Sequence, residues 1–275
     1  MATIGAAWRA ASQRIDRLDA RLLLEHLAGC SHADLIARPE TVLSADLLAN
    51  LESLVERRAV GEPLAYLLGT QPFYGREFLV SPAVLIPRPD TEVLVDVALE
   101  KAARMAAPSI VDLGTGSGVV AVTLACLCPA ARLTAVDCSP AAIEVAQANA
   151  RRHGVQIDFR VGDWVAPLGD ARFDLMVSNP PYVAEGDAHL QQNGLPFEPR
   201  AALTDGVAGG DGLACLRRIV GRASAHLRPG GWLLLEHGYD QAAQVRDLLD
   251  VAGLVDVASW RDLAMIERVS GGRQP

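Results

Sequence analysis

From Thr91 onward, short strand-like runs alternate with amphipathic helix-like stretches, and this alternation constrains the fold more than any other feature of the chain. The strand-like runs are 109–113, 132–137, 156–161, 173–178, 231–237, 255–260 and 266–269. Stretches of helical periodicity, such as 140–153 and 241–252, separate most of them. Strands that alternate with helices form a mostly parallel sheet covered on both faces. The pattern therefore predicts an α/β, Rossmann-like fold with a seven-stranded sheet.

The first seventy residues have a different periodicity. Apolar residues repeat at three-to-four spacing between Ile15 and Leu27, and Gly29 follows as a stop signal. A second such stretch begins after Ser44, a suitable N-cap, and a short one runs over 63–68 and ends at Gly69. Residues 1–70 are therefore expected to form a small helical domain.

A β-hairpin is expected between this domain and the α/β domain. Strand-like residues lie between Gln71 and Ile86, with turn signals at Gly75 and at Ser81-Pro82. Two prolines then flank Arg88 in a stiff connector. We assign 71–90 to the linking hairpin and 91–275 to the α/β domain.

Composition and charge exclude several classes of function. The 275 residues carry 25 basic and 33 acidic side chains, a net charge of −8, whereas a non-specific nucleic-acid or anionic-membrane surface needs a basic excess. No apolar run is long enough to cross a membrane, and no signal segment follows Met1, so a cytoplasmic protein is expected. The five cysteines have no partners at metal-ligand spacing, and we predict no metal site.

A glycine-rich turn follows the first strand of the predicted sheet. It reads Asp112-Leu113-Gly114-Thr115-Gly116-Ser117-Gly118 and leads into an apolar helix. Glycines permit a tight turn and close approach of a ligand to the backbone, although such a triplet alone is weak evidence. The spacing differs from that of dinucleotide sites, and it favours a nucleoside without a pyrophosphate. We assign Asp112, Gly114, Thr115, Gly116, Ser117 and Gly118 to cofactor binding.

Acidic and aromatic residues follow the next two strands. Asp137 ends the second strand, 21 residues after Gly116, where a carboxylate accepts hydrogen bonds from ribose hydroxyls. Its alternative role is the N-cap of the helix that starts at Pro140, which Ser139 could also fill. Asp163 could accept from an exocyclic amine, and Trp164 could cover a planar base.

The fourth strand ends in Asn179-Pro180-Pro181-Tyr182. Asn179 offers one acceptor, and the rigid Pro180 carbonyl offers a second. With Pro181 and Tyr182 as flat walls, the four residues form a clamp for a planar amino group, and we assign them as catalytic, with Asn179 also in contact with the cofactor. Since ligands bind at the carboxyl ends of strands in such sheets, all these motifs are expected to meet.

These motifs resemble those of class I S-adenosylmethionine-dependent methyltransferases that act on amino groups. Over nearly its whole length the chain is similar to the HemK (PrmC) family of release factor glutamine methyltransferases. Further runs that carry the resemblance are Gly61-Glu62-Pro63, Leu85-Ile86-Pro87-Arg88-Pro89-Asp90-Thr91-Glu92, Phe197-Glu198-Pro199 and Leu234-Leu235-Glu236-His237-Gly238. One departure is that 264–268 lacks the glycine-bearing turn which many members place before the last strand.

The resemblance implies methylation, with S-adenosylmethionine as cofactor, of the glutamine side-chain amide in the Gly-Gly-Gln motif of peptide-chain release factors. It also implies that the helical domain helps to recognise the release factor. We expect a monomer that does not bind nucleic acid or a membrane directly.

Three further side chains are expected to have binding or structural roles. Arg88 is a candidate for the methionyl carboxylate or for bracing the cleft, and the alternative is a surface ion pair with Glu92. Glu198 is expected to support the loop that carries Asn179. His237 is expected to be structural, at the end of a strand.

Two other methyltransferase activities are alternatives to methylation of a release factor. An adenine-amino DNA methyltransferase shares the clamp, but it requires base flipping and a basic groove. A glutamine methyltransferase that acts on a ribosomal protein differs from this chain in the segment 86–92. A binding scaffold without activity is disfavoured by the intact glycine turn, Asp137 and Asn179.

Overall fold

The computed structural model describes residues 2–192 and 194–275. The chain divides into two compact units. One comprises the residues up to Thr70 together with the segment Gln191–Phe197, and the other comprises Gln71–Leu190 and Glu198–Pro275.

The first unit is built from short helices with well-defined ends. Its helices are α1 (Ile4–Ala11), α2 (Arg17–Ala28), α3 (His32–Ala37), α4 (Ala45–Ala59) and α5 (Leu64–Leu68). The Ser44 side chain accepts from the Leu47 amide at 3.2 Å and caps α4. Gly29 and Gly69 end α2 and α5 in the left-handed conformation, as the sequence predicts. The apolar faces of the helices form one buried core.

Next along the chain is the hairpin of β1 (Thr70–Phe73) and β2 (Arg76–Leu79), and the second unit begins within it at Gln71. Its turn places Tyr74 and Gly75 at positive φ. The strand pattern expected to continue to Ile86 is wrong, because the chain turns again beyond Leu79, with the Val84 amide donating to the Ser81 carbonyl. Pro82 has no N–H to donate to a ladder, so the run up to Ile86 cannot continue through it as a regular strand.

A seven-stranded sheet forms the centre of the second unit, with strand order β5-β4-β3-β6-β7-β9-β8. The strands are β3 (Ser109–Leu113), β4 (Arg132–Asp137), β5 (Asp158–Val161), β6 (Phe173–Ser178), β7 (Leu227–Glu236), β8 (Val255–Arg261) and β9 (Glu267–Arg273). The helices of this unit are α6 (Glu92–Ala102), α7 (Val119–Leu127), α8 (Pro140–His153), α9 (Ala214–His226) and α10 (Ala242–Val251). The five strands from β5 to β7 pair in parallel, and β9 is antiparallel to both of its neighbours. The predicted Rossmann-like sheet is confirmed.

The last strand is longer than its sequence pattern indicates. β9 extends to Arg273 instead of ending at residue 269. A Cβ atom on Gly271 would lie 2.5 Å from the Leu233 carbonyl oxygen, and one on Gly272 would lie 2.9 Å from the Leu254 Cβ. A pair of glycines is typical of a strand end. Gly271 and Gly272 instead lie inside β9, where larger side chains would not fit.

The strand register brings the predicted motifs to one edge of the sheet. Leu113 pairs with both Val136 and Ser178, and Ser178 pairs with Leu235. The carboxyl ends of β3, β4, β6 and β7 are therefore level. Apolar clusters cover both faces of the sheet and hold these ends in place. None of the helices in the described part of the chain is long and apolar enough to span a membrane.

Candidate functional site

A cavity of about 590 Å³ lies at the carboxyl edge of the sheet, which is a typical volume for a small-molecule site. Most of the predicted site residues line it: Arg88, Asp112, Gly114, Thr115, Gly116, Ser117, Asp137, Asp163, Trp164, Asn179 and Pro181. Gly118, Pro180 and Tyr182 do not. The structure thus brings residues from four strand ends and from the Arg88 connector to one site.

Two glycines of the turn, Gly114 and Gly118, lie where neighbouring residues leave little room for a side chain. Gly114 lies at φ +73°, and a Cβ there would be 3.2 Å from the Trp164 ring. Gly118 lies at φ +82°, and a Cβ there would be 3.0 Å from Ala146 of α8. Gly114 therefore leaves room for the indole, whereas Gly118 lets α7 approach α8 closely and acts through packing.

Asp112 stabilises the glycine turn through a side-chain hydrogen bond. Its side chain is 1 % exposed, and one carboxylate oxygen accepts from the Thr115 hydroxyl at 2.7 Å. Burial raises the pKa of Asp112 to about 7, and the nearby charge of Asp137 acts in the same direction. The carboxylate therefore changes its charge close to neutral pH.

Asp137 connects the turns that follow β3 and β4. One carboxylate oxygen accepts from the Gly116 amide at 2.9 Å, and the other accepts from the Ser139 amide at 2.9 Å. The alternative role of Asp137 as helix cap is wrong, because the Ser139 hydroxyl caps α8 through the Ala142 amide. The Asp137 carboxylate is thus held in place on the cavity wall.

Asp163 and Trp164 form another part of the wall. Asp163 is exposed and makes an ion pair with Arg218 of α9. Trp164 is half-buried and adopts a positive φ of 49°. Arg218 also lines the cavity, although the sequence pattern gave it no role.

Asn179 reaches the cavity from the end of β6. Its side-chain nitrogen donates to the Thr91 hydroxyl oxygen at 3.1 Å. Because the nitrogen is engaged in this way, the amide oxygen of Asn179 remains as the acceptor for a ligand. Thr91 is 2 % exposed and was not predicted as a partner, although it belongs to the 85–92 run that carries the family resemblance.

Tyr182 is held from two sides. Its hydroxyl donates to a Glu236 carboxylate oxygen at 3.5 Å, and its carbonyl accepts from the Gln241 side chain at 2.9 Å. Burial, followed by the Glu236 charge, raises the pKa of Tyr182 far above its usual value. Tyr182 therefore remains a neutral hydrogen-bond donor.

The Arg88 side chain pairs with Glu198, and the other Glu198 oxygen accepts from the Ile86 amide at 2.9 Å. The expected alternative pair with Glu92 is wrong, since Glu92 accepts from the Tyr74 amide of the hairpin. Glu198 is buried and fixes the segment around Arg88, instead of the loop that carries Asn179. This geometry favours the bracing role for Arg88.

His237 is a structural residue, as predicted. It is fully buried, and its ring nitrogens contact the Gly238 carbonyl at 2.9 Å and the Ser270 hydroxyl at 2.8 Å. Burial lowers its pKa, so the ring is neutral at physiological pH.

Solved structures with similar folds are methyltransferases of low sequence identity. A methyltransferase from Pyrococcus furiosus superimposes with a TM-score of 0.53 at 14% identity, over 80% of this chain and 96% of that one. The hMettl16 catalytic domain in complex with MAT2A 3'UTR hairpin 1 gives a TM-score of 0.57 at 12% identity, over 97% of this chain and 90% of that one. At such identities the likeness establishes the fold alone.

The sequence comparisons are more specific. The Methyltransferase small domain matches residues 89–194, and the PrmC N-terminal domain matches residues 6–69. A release factor glutamine methyltransferase from Burkholderia pseudomallei is 52% identical over 95% of this chain and 93% of its own length. One from Bordetella pertussis is 51% identical over 94% of this chain and 95% of its own length. The chain therefore belongs to the release factor glutamine methyltransferase family.

Proposed function

We propose that this protein transfers a methyl group from S-adenosylmethionine to the side-chain amide nitrogen of the glutamine in the Gly-Gly-Gln motif of peptide-chain release factors. The observation that carries the proposal is the orientation of Asn179. Its nitrogen is engaged by Thr91, so that its oxygen is the group available to a substrate N–H. The names of the relatives give the same substrate class.

The cavity fits the charges of S-adenosylmethionine, whose bound form supplies an electrophilic methyl group on a sulfonium sulfur. Acidic residues outnumber basic ones in the lining of the cavity by five to three, and this excess favours a ligand that carries sulfonium and ammonium charges. Asp137 would accept hydrogen bonds from the ribose hydroxyls, Trp164 would cover the adenine face and Asp163 would accept from the adenine amino group. The glycine turn lets the ligand approach the backbone.

The chemistry of the amide explains why the clamp contains acceptors and no base. An amide nitrogen is a poor nucleophile because its lone pair is delocalised into the carbonyl. Asn179 Oδ1 and the Pro180 carbonyl accept the two amide hydrogens, which aims the nitrogen at the methyl group and stabilises the positive charge that develops there. Pro181 flanks the amide plane, and Tyr182 supports the clamp through its contacts with Glu236 and Gln241. As the N–C bond forms and the C–S bond breaks, S-adenosylhomocysteine would leave as a neutral thioether. The N-methylated amide cation is strongly acidic and gives its proton to water without a tuned base.

The remaining parts of the chain serve the protein substrate. We propose that residues 1–70 help to recognise the release factor, that 71–90 link this unit to the transferase, and that 91–275 perform the transfer. The protein acts as a cytoplasmic monomer and contacts no nucleic acid or membrane directly. The net charge of −8 favours a protein substrate over nucleic acid.

Mass spectrometry tests this function directly. The purified protein is incubated with S-adenosylmethionine and unmethylated bacterial release factor, and the tryptic peptide that contains Gly-Gly-Gln is analysed. A one-methyl mass shift on the glutamine is expected. The same release factor with glutamate in place of that glutamine is the matched control and should gain no methyl group.

Parallel incubations separate the rival substrates. Duplex DNA and ribosomal proteins are offered with methyl-labelled cofactor under the same conditions. Label on either of these substrates, together with an unmodified release factor, would overturn the proposed function.

A further inference from the structure

The turn between β8 and β9, residues 262–266, exposes apolar side chains that no step of the proposed reaction uses. Leu263 is fully exposed, Met265 is 67 % exposed, and Ala264 between them is exposed as well. A run of apolar residues in contact with water is unfavourable unless it has a function. The turn is therefore a candidate contact surface for another molecule.

Hydrogen bonds at its base hold the turn in one conformation. The Asp262 carboxylate accepts from the Ile266 amide and from the Arg268 side chain, both at 2.9 Å. The backbone closes the turn as well, because the Asp262 amide donates to the Ile266 carbonyl and the Met265 amide donates to the Asp262 carbonyl, each at 2.9 Å. A surface that is already ordered loses little conformational entropy on binding, which favours the turn as a docking element.

The backbone at Met265 gives a second indication of function. It lies at φ +64°, in the left-handed region that glycine adopts most easily, and the turn contains no glycine. A methionine in this conformation is strained relative to glycine, and its exposed side chain adds nothing to the core. Folding alone therefore does not favour an apolar side chain at this position.

The strand register places the turn beside the proposed amide clamp. β9 lies two strands from β6, or about 10 Å at the usual spacing of strands. Asn179 and Glu236 are level with each other beyond the paired ends of β6 and β7, and Glu236 pairs with Val269 of β9. Because β9 runs in the opposite direction, the turn before it begins three residues, about 10 Å, beyond that level. It thus projects past the sheet edge that holds the cavity.

Ion pairs connect the turn to the support of the clamp. Arg268 pairs with Asp262 of the turn at 2.9 Å and with Asp90 at 3.1 Å. Asp90 precedes Thr91, whose hydroxyl oxygen accepts from the Asn179 side-chain nitrogen at 3.1 Å. A partner that contacts both the turn and the clamp therefore meets a fixed geometry.

A third exposed side chain follows β7 at the same edge. Tyr239 is 69 % exposed, and β7 lies between β6 and β9 in the sheet. Its loop is attached to the base of the turn, because the His237 amide donates to the Arg268 carbonyl at 2.9 Å. We call Tyr239, Leu263 and Met265 the apolar rim.

We propose that the apolar rim is a docking surface for the release factor, and that it packs against apolar side chains around the Gly-Gly-Gln motif. The inference rests on the proposed function, since the clamp then receives a glutamine that belongs to a folded protein. A stable protein interface covers about 800 Å² on each partner, a patch roughly 16 Å in radius. A patch of that size centred on the clamp reaches the turn, so a bound release factor would cover the rim.

Binding of the release factor tests the rim directly. The double variant Leu263→Ser with Met265→Asn removes both apolar side chains, and asparagine tolerates the left-handed backbone at position 265. With S-adenosylhomocysteine bound, the Kd for the release factor should rise about 10- to 30-fold, because a few apolar contacts carry much of the affinity of an interface.

Val251→Ser is the matched control. Val251 is 88 % exposed, but it ends α10 just before β8 begins, at the opposite edge of the sheet. The Kd of this variant for the release factor should stay within about twofold of wild type, as is usual for surface substitutions away from an interface.

Steady-state kinetics separate docking from chemistry. In the double variant the KM for the release factor should rise as the Kd does, while kcat should stay within about threefold, because binding is lost equally from the ground state and the transition state. The Kd for S-adenosylmethionine and the urea midpoint of unfolding should not change, since both side chains are exposed. A structural role of the turn would instead lower the unfolding midpoint and kcat together.

A photo-crosslinker identifies the partner at the turn. With p-benzoylphenylalanine in place of Leu263, the crosslinked product should contain the release factor, joined at a peptide close to Gly-Gly-Gln. Crosslinking to a second copy of this chain in place of the release factor would make the rim a self-association surface and would overturn the inference.

The docking role and the proposed function can fail separately. A release factor that the wild type and the double variant methylate with the same KM would contradict the docking surface alone. A release factor that binds the wild type more tightly than the double variant, yet gains no methyl group from either, would contradict the proposed function alone.

Discussion

The two ends of the cavity are held together in different ways. The cofactor end consists of the glycine turn with Asp112 and Asp137, and the amide end consists of Asn179 and Tyr182 with Thr91 and Glu236. Each end contains one fully buried carboxylate at the end of a strand, Asp112 or Glu236, whose pKa burial raises to about 7. At the cofactor end, the polar contacts join residues at most 21 positions apart. At the amide end they span 88 positions from Asn179 to Thr91, and 54 from Tyr182 to Glu236.

The cofactor end is therefore built by one strand-turn-helix unit and its neighbour, whereas the amide end requires the finished sheet. The contacts described for the two ends share no side chain. The two ends follow the paired strands β3 and β6, but their described side-chain contacts are separate. Substitutions at one end should therefore leave the side-chain contacts of the other end in place.

The largest effect is expected from Asn179→Ala. The variant removes the acceptor for the amide hydrogen, and kcat should fall 100- to 1,000-fold, about 3–4 kcal/mol of transition-state stabilisation. The Kd for S-adenosylmethionine should stay within about threefold, because the cofactor end is unchanged. Single-turnover kinetics and calorimetry measure the two quantities.

Asp170→Ala is a suitable control for this comparison, because Asp170 is exposed and lies in the same unit. A turnover of Asn179→Ala within a few-fold of wild type would contradict the acceptor role. An equally large loss of cofactor affinity would show that the two ends are not independent.

The same contrast explains what the sequence could predict. The alternating periodicity predicted the sheet, and the glycine spacing predicted a turn, most of whose residues line the cavity wall. The residues that support the amide end were not predicted. Thr91 meets Asn179, and Glu236 meets Tyr182, only after β3, β6 and β7 have paired. The ion pair between Arg88 and Glu198 was not predicted either, because its two residues are 110 positions apart in the sequence. Gly271 and Gly272 misled the prediction of β9, because their role is to fit against Leu233 and Leu254 in the folded sheet.

The second effect concerns Asp112 and the pH dependence of stability. Its carboxyl has a pKa of about 7 in the folded protein, against an ordinary value of 3.8 that applies to the unfolded chain. The folded state therefore binds the proton more tightly, and stability is lost as the pH rises toward 7. Between pH 5 and pH 8 the wild type should lose roughly 2–3 kcal/mol of unfolding free energy relative to Asp112→Asn.

Urea unfolding at several pH values measures this difference. Glu236 is present in both proteins, so its own contribution cancels. Asp170→Asn should follow the wild-type curve, since that side chain is exposed. Parallel pH curves for wild type and Asp112→Asn would show that Asp112 is ionised throughout this range in the folded protein.

The smallest effect is expected from Asp137→Asn, which changes only the cofactor end of the cavity. The asparagine keeps one acceptor but loses the charge and the second acceptor, and its NH2 group then faces the Gly116 or Ser139 amide that the lost acceptor bound. The Kd for S-adenosylmethionine should therefore rise about tenfold, or ~1.4 kcal/mol, as expected for one hydrogen bond to a charged group. With saturating cofactor, kcat should stay within about threefold, because Asn179, Thr91 and Glu236 are untouched. A fall in kcat at unchanged Kd would place Asp137 at the transferring end, and so would break the division between the two halves of the cavity.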